Sequence, residues 1–206
     1  MPIIVKPSAT LLSITESPEQ LIERAGRVCY KSEGAITEDS ARPFVAKLCH
    51  VMKHESVLEH ASATFHFVTD RGITHEIVRH RLAAYSQEST RYCNYSKDKF
   101  DKQISVIQPP GLSADDTSFQ TWWSAMEVAE TYYFALIESG KPPQIARSVL
   151  PTCLKTEIVM TCNMRERKHV FKMRCSERAH PQIQEIMKQA QAILCERVPS
   201  IFEEVA

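Results

Sequence analysis

Arg79-His80-Arg81, then seven residues, then Ser89 and Arg91-Tyr92 put three guanidinium groups and several hydroxyl and amide side chains into the stretch RHRLAAYSQESTRY. Fixed positive charge beside neutral hydrogen-bonding groups suits a phosphorylated ligand or an electron-rich anionic cofactor, because guanidinium forks bind phosphate oxygens in pairs. On spacing alone the same residues fit a solvated basic face equally well. The chain carries 25 basic and 25 acidic residues, however, so the clustering is local and weighs against that bland alternative. Further arginines stand at Arg147 before Leu150-Pro151, at Arg165 in Asn163-Met164-Arg165, and at Arg174 one helix later. With only five glycines and neither a G-x-G-x-x-G nor a Walker loop, a glycine backbone cannot cradle phosphates here. Side chains must hold them.

Metal and thiol chemistry fit less well. His75 and His80 are five apart, a rotation of roughly 140° on a helix, whereas a shared metal needs i, i+4. His50 and His54 have that spacing, but two histidines without a defined third ligand more often make ordinary polar contacts. No metal site is expected. The seven cysteines are odd in number and scattered, with no C-x-x-C pair. They read as reduced thiols rather than a disulfide framework or a zinc site. Cys153, in Pro151-Thr152-Cys153 before an expected strand, is conceivable as a nucleophile. No base is assigned to it by the sequence, and a buried strand cysteine is the simpler reading.

The elements that must position these residues follow from composition and pattern. A chain of 206 residues with 43% hydrophobic side chains can bury a core as one domain over 1–206. A neutral balance argues against a broad nucleic-acid or membrane surface. The first twenty residues lack the pattern of a secretory leader, and no segment has the apolar length of a membrane span, so a cytoplasmic protein is expected. Residues 2–14 read as one or two strands. Ser17-Pro18-Glu19-Gln20 reads as a capping box opening a helix to about Tyr30, with Leu21, Ile22, Ala25 and Val28 on its inner face. Thr37 is expected to cap a second helix ending near Lys53. Residues 61–68 alternate as a strand, and Asp70-Arg71-Gly72 reads as a turn. A helix from Ile73 is then expected to carry RHR into a polar loop, where a rigid element positions a ligand-reaching segment. Ile104–Ile107 reads as a short strand. Helices are expected from Asp115 or Asp116 to Gly140, from Pro142 to Val149, from Asn163 to about Arg174 and from Pro181 to about Val198, with a strand at Thr156–Thr161. The order predicts an α+β fold, a mostly antiparallel sheet flanked by long helices.

The constellation resembles the flavin-dependent thymidylate synthases, whose signature R-H-R, seven residues, S stands here as Arg79-His80-Arg81-(LAAYSQE)-Ser89, continuing in Thr90-Arg91-Tyr92. His54-Glu55-Ser56-Val57-Leu58-Glu59-His60, Ala146-Arg147 to Leu150-Pro151, Asn163-Met164-Arg165 and Met173-Arg174-Cys175 fall in the family's order. The resemblance covers roughly residues 50 to 184. It implies reductive methylation of dUMP to dTMP. FAD reduced by NADPH would be the hydride source, 5,10-methylenetetrahydrofolate would be the carbon donor, and no enzymic cysteine would attack. It also implies flavin contacts at Ser56, Arg79, His80, Arg81, Gln87, Asn163, Arg165 and His169, with His54, Glu59 and Leu82 as weaker neighbours. For the nucleotide it implies Glu76, Ile77, Val78, Arg79, Gln87, Glu88, Ser89, Thr90, Arg91, Arg147 and Arg174. Arg174 takes the catalytic position, polarising the uracil. Ser89 binds rather than attacks, since no base is evident for it. Glu76, Gln87, His169 and Arg178 depart from the family's commonest residues. Family members are homotetramers with shared active sites, and Trp122, Trp123, Tyr132 and Tyr133 on one long helix could serve such an interface or an internal core.

Two competing readings differ in class. One is a nucleotide- or RNA-binding module that uses the RHR segment without chemistry. The other is a nucleotide methyltransferase built on Cys153.

Overall fold

Alternation of buried and half-buried side chains along residues 62–70 and 155–163 forces two long strands with one face toward a core. In the computed structural model, which describes residues 1–203, these are β3 (Ser62–Asp70) and β6 (Lys155–Asn163). They are the central pair of a four-stranded antiparallel sheet in the order β2-β3-β6-β4, where β2 is Ser8–Ile14 and β4 is Ala83–Gln87. A separate parallel pair joins β1 (Ile3–Ile4) to β5 (Ser105–Val106). The helices are α1 (Pro18–Tyr30), α2 (Ala41–Ala46), α3 (Arg71–Ile77), α4 (Thr117–Glu138), α5 (Pro143–Ala146), α6 (Met164–Arg174), α7 (Pro181–Arg197) and α8 (Pro199–Phe202). The mixed, helix-rich class with an antiparallel sheet agrees with the expectation from sequence.

The chain packs as two compact units. One comprises residues 1–8, 68–79 and 86–158, and the other residues 9–67, 80–85 and 159 onward. The first unit's core joins Tyr95, Ile104, Val106, Met126, Tyr133, Ala146 and Leu154, with Trp122 and Trp123 packed against it. Tyr133 is therefore a core residue, whereas Tyr132 on the same helix is exposed. Glu130 is buried there, accepting from the Ile104 amide at 3.0 Å and pairing with the Met1 ammonium at 3.1 Å. In the second unit Ile22, Val45, Leu48, Phe65, Phe67, Met160, Val170, Phe171, Ile183 and Leu194 are buried.

Several local expectations are corrected. Ser17 does not cap α1: it sits in the left-handed region at φ 45° and its side chain accepts no cap bond. The face of α1 turned inward carries Ile22 and Gly26, while Leu21 and Val28 are exposed. The second helix starts at Ala41 rather than at Thr37 and loosens into a π-helical turn over Lys47–Met52. Asp70 is a helix cap and not the first residue of a turn, its Oδ1 accepting from the Ile73 amide at 2.7 Å. Helix α3 stops at Ile77, so Arg79-His80-Arg81 lies beyond it, and the expected polar loop contains β4.

Candidate functional site

In the second unit, β6 runs directly into α6, and Asn163 marks the junction by accepting from the Glu166 amide at 2.9 Å. That cap fixes the first turn of α6 at the wall of a cleft of about 1040 Å³ lined by Lys53, Glu55, Glu59, Leu82, Asn163, Arg165, Glu166, Lys168, His169 and Lys172. The positive end of the α6 dipole adds to its side-chain cations. Arg165 pairs with Glu59 at 2.5 Å and Lys168 with Glu55 at 2.5 Å. Lys53 and Lys172 form no salt bridge among the described residues, and the lining's four cations against three carboxylates, Glu55, Glu59 and Glu166, leave a net positive charge with two ammonium donors for a diphosphate. Its size also matches an extended dinucleotide rather than a small anion.

Of the eight flavin contacts that the family resemblance implied, Asn163, Arg165 and His169 line this cleft, together with two of its weaker neighbours, Glu59 and Leu82. Ser56, Arg79 and Arg81 are exposed and do not line it. Lys53, Lys168 and Lys172 were not singled out from sequence. A lysine at a helix end or on a helix face carries no motif, and only folding shows which of them converge.

His80 is buried in this unit, and three contacts define its state. Arg174 donates from Nε to His80 Nε2 at 3.0 Å, and Glu166 Oε1 faces His80 Nδ1 at 3.6 Å. The Tyr85 hydroxyl donates to the His80 carbonyl at 2.6 Å. Burial, with the neighbouring charges of Arg174, His169 and Arg167, lowers the His80 pKa to about 4. The ring is thus neutral near pH 7, and the 3.6 Å approach to Glu166 is not an ion pair and is too long for a hydrogen bond. Burial, together with Cys162, pushes the Tyr85 phenol up to about 12, so it remains a donor. Arg167, fully buried, lies over the Phe65 and Phe171 rings at 5.0 and 6.0 Å.

The first unit holds a second cavity of about 410 Å³, lined by Arg71, His75, Thr90, Gln144, Arg147, Ser148, Leu150, Pro151, Thr152 and Leu154. Arg147 Nη1 donates to Thr90 Oγ1 at 3.1 Å, and Arg71 Nη1 donates to the Glu88 carbonyl at 3.3 Å. Two guanidinium groups and hydroxyls in a small cavity suit a phosphate monoester. Thr90 and Arg147 were foreseen; Arg71, His75 and Gln144 were missed, Arg71 because Asp-Arg-Gly reads as a turn.

The other foreseen residues of the first unit divide between internal contacts and the surface. Gln87 donates from Nε2 to Thr74 and Thr156 hydroxyls at 2.9 and 3.3 Å, and Glu88 accepts from the Tyr95 hydroxyl at 3.0 Å and from Lys155 at 3.3 Å. Ile77 is fully buried, Val78 and Arg91 are exposed, and Ser89 accepts from the Arg91 amide at 3.3 Å. Glu76, at the last turn of α3, is half-buried. In the second unit, His50 Nε2 lies 2.9 Å from the Ser200 carbonyl, and His54 Nδ1 lies 2.7 Å from the Tyr30 hydroxyl. Cys153 lies 3.2 Å from Met126 Sδ, and burial raises its pKa, which suits packing rather than attack.

A family model described as thymidylate synthase complementing protein matches residues 10–200. The chain belongs to the flavin-dependent thymidylate synthase family. It is 38% identical to the flavin-dependent thymidylate synthase of Geobacter sulfurreducens over 94% of this chain and 84% of that relative. Against the flavin-dependent thymidylate synthase of Pyrococcus abyssi the identity is 33%, covering 86% of this chain and 74% of the relative. The flavin-dependent thymidylate synthase of Clostridium tetani is 31% identical over 94% of this chain and 84% of its own length. The family is one of transferases. Among the described residues, no helix is long and apolar enough to cross a membrane.

Proposed function

We propose that this chain is a cytoplasmic flavin-dependent thymidylate synthase that methylates dUMP to dTMP with 5,10-methylenetetrahydrofolate and NADPH, residues 1–206 acting as one functional domain. Family membership supports the reaction class. The observation that carries the cofactor assignment is the cationic α6 cleft, because it gathers three of the flavin contacts that the motif resemblance implies, Asn163, Arg165 and His169, with two of its weaker neighbours, Glu59 and Leu82. When bound and reduced, FAD supplies the hydride that converts the transferred one-carbon unit to a methyl group. Arg165, Lys53 and Lys172 would hold its phosphates, and Asn163 and His169 would orient it. Arg147 and Thr90 would bind the nucleotide phosphate in the smaller cavity, with Arg71 as an added cation. Arg174 would place a guanidinium where negative charge grows on the uracil ring, stabilising it electrostatically. Cys153 takes no part. A homotetramer with residues of several subunits completing each site is part of the proposal, supported by the exposed Tyr132 and Val128 on α4.

Titration with FAD tests the cofactor site. The protein is expected to turn yellow and saturate, and Arg165→Ala is expected to weaken binding at least tenfold. A protein that ignores FAD would overturn the reading and favour a nucleotide-binding module.

A further inference from the structure

Glu166 belongs to none of the residues that the motif resemblance marks, yet it lines the α6 cleft while nine-tenths buried, with its carboxylate turned to the ring of His80. We propose that Glu166 is a positioning residue: it faces the N–H of a neutral His80 at Nδ1, so that the opposite nitrogen, Nε2, stays a bare acceptor that holds Arg174. The inference rests on the flavin reading only for its kinetic consequence.

The chemistry of the ring carries it. A neutral imidazole has one proton and two nitrogens, and which nitrogen keeps the proton depends on what each faces. Nε2 receives the Arg174 Nε–H at 3.0 Å, and arginine has no lone pair to offer in return. A proton on Nε2 would therefore meet another donor. The proton belongs on Nδ1, where Glu166 Oε1 stands 3.6 Å away and presents only acceptor oxygens when ionised. At that separation the carboxylate acts as an oriented negative charge rather than as a hydrogen-bond partner.

The surroundings keep the ring uncharged. Arg167, His169 and Arg174 face it from α6, and the Tyr85 hydroxyl from β4 holds its carbonyl at 2.6 Å. Cys162 on β6 and Glu166 bear on Tyr85 in turn. Three basic side chains against one carboxylate oppose a further positive charge. Protonating the imidazole would turn Nε2 from acceptor to donor and break its bond to Arg174 Nε, and so would moving the proton from Nδ1 to Nε2. Glu166 guards against the second event. Its backbone amide is fixed by Asn163 Oδ1 at 2.9 Å, so the carboxylate sits on the capped first turn of α6.

Ring-nitrogen NMR on histidine-labelled protein at neutral pH tests this directly, with the His80 signals assigned by their loss in His80→Gln. The wild type is expected to show one neutral form, protonated at Nδ1. Glu166→Ala is expected to admit the Nε2-protonated form. Glu166→Gln, which keeps the shape of the side chain and loses its charge, is expected to admit that form as well. In turnover, Glu166→Ala should lower kcat by about tenfold to a hundredfold, since a small displacement of a catalytic group is enough for that. The KM for dUMP should hold within about twofold, because the phosphate assignment lies with Arg147 and Thr90. Glu166→Gln should lose a comparable share of the rate, because the charge is gone although the shape is kept. A His80 ring that stays wholly Nδ1-protonated in Glu166→Ala overturns the inference, as does a wild-type pattern in Glu166→Gln. If the wild type makes no dTMP but the NMR pattern follows expectation, the catalytic reading fails while the positioning role stands.

Discussion

Arg174, the last residue of α6, donates through Nε to Nε2 of His80, the middle residue of the RHR signature, across 3.0 Å and ninety-four positions of sequence. The bond ties the signature to the residue that the family resemblance marks as catalytic. It exists only while the imidazole is uncharged, which makes the pairing sensitive to acid.

Stability should follow that titration. The His80 pKa is about 4 in the folded chain against an ordinary value of 6.5, so the unfolded chain binds the proton first as pH falls. The contribution is fully present above pH 6.5, is lost progressively between 6.5 and 4, and levels off below. Its ceiling is about 3 kcal/mol. Urea unfolding across that range is expected to show a steeper acid loss for the wild type than for His80→Asn. Parallel curves would count against a neutral buried ring.

Cys153 and Arg174 should respond oppositely to truncation. Cys153→Ala removes a packing contact with Met126 and should leave dTMP formation within about threefold of wild type. Arg174→Ala should lower kcat by about a hundredfold or more, as removal of one electrostatic stabiliser does elsewhere. The reverse pattern in a steady-state assay would point to the cysteine mechanism.

Arg147→Ala should raise the KM for dUMP by about tenfold and leave that for NADPH nearly unchanged, because the guanidinium lines the smaller cavity beside Thr90. Equal effects on the two would contradict the phosphate assignment.

Gly26→Ala should destabilise the fold although alanine favours helices by about 1 kcal/mol. A methyl at this position would lie 2.8 Å from Phe44 Cε1 and 2.9 Å from Leu48 Cδ1. The Phe44 ring is held in place by Arg27, whose guanidinium stacks over it at 4.2 Å. Overpacking of this kind outweighs the propensity gain, and Tm should fall by a few degrees in thermal melts.

Strand and helix patterns that depend on local chemistry were legible in the sequence. Asn163 ends β6 and caps α6, and Asp116 caps α4 by accepting from the Ser118 amide at 2.9 Å. Gly140 closes α4 at φ 84°, where glycine meets no steric penalty. What could not be read was decided by distant packing. Leu82-Ala83-Ala84 favours a helix by composition, yet Ala83–Gln87 is a strand beside β6, and the Glu88 amide just beyond it donates to the Glu157 carbonyl at 2.9 Å. The inner face of α1 follows Gly26 because Phe44 and Leu48 press against it, a contact no periodicity reveals. Of the arginines the sequence singled out, Arg147 and Arg165 each line a cavity, whereas Arg79, Arg81 and Arg91 are exposed, and Arg71 was not singled out as a ligand-binding residue. The pairings of Arg174 with His80 and of Arg147 with Thr90 became visible only with the fold.

The most direct test is an anaerobic reaction of the purified protein with dUMP, 5,10-methylenetetrahydrofolate, FAD and NADPH, followed by chromatography of the nucleotides. The account predicts dTMP, formed only when FAD and NADPH are both present. Unchanged dUMP in the complete mixture, from protein that is folded and has bound the flavin, would contradict it.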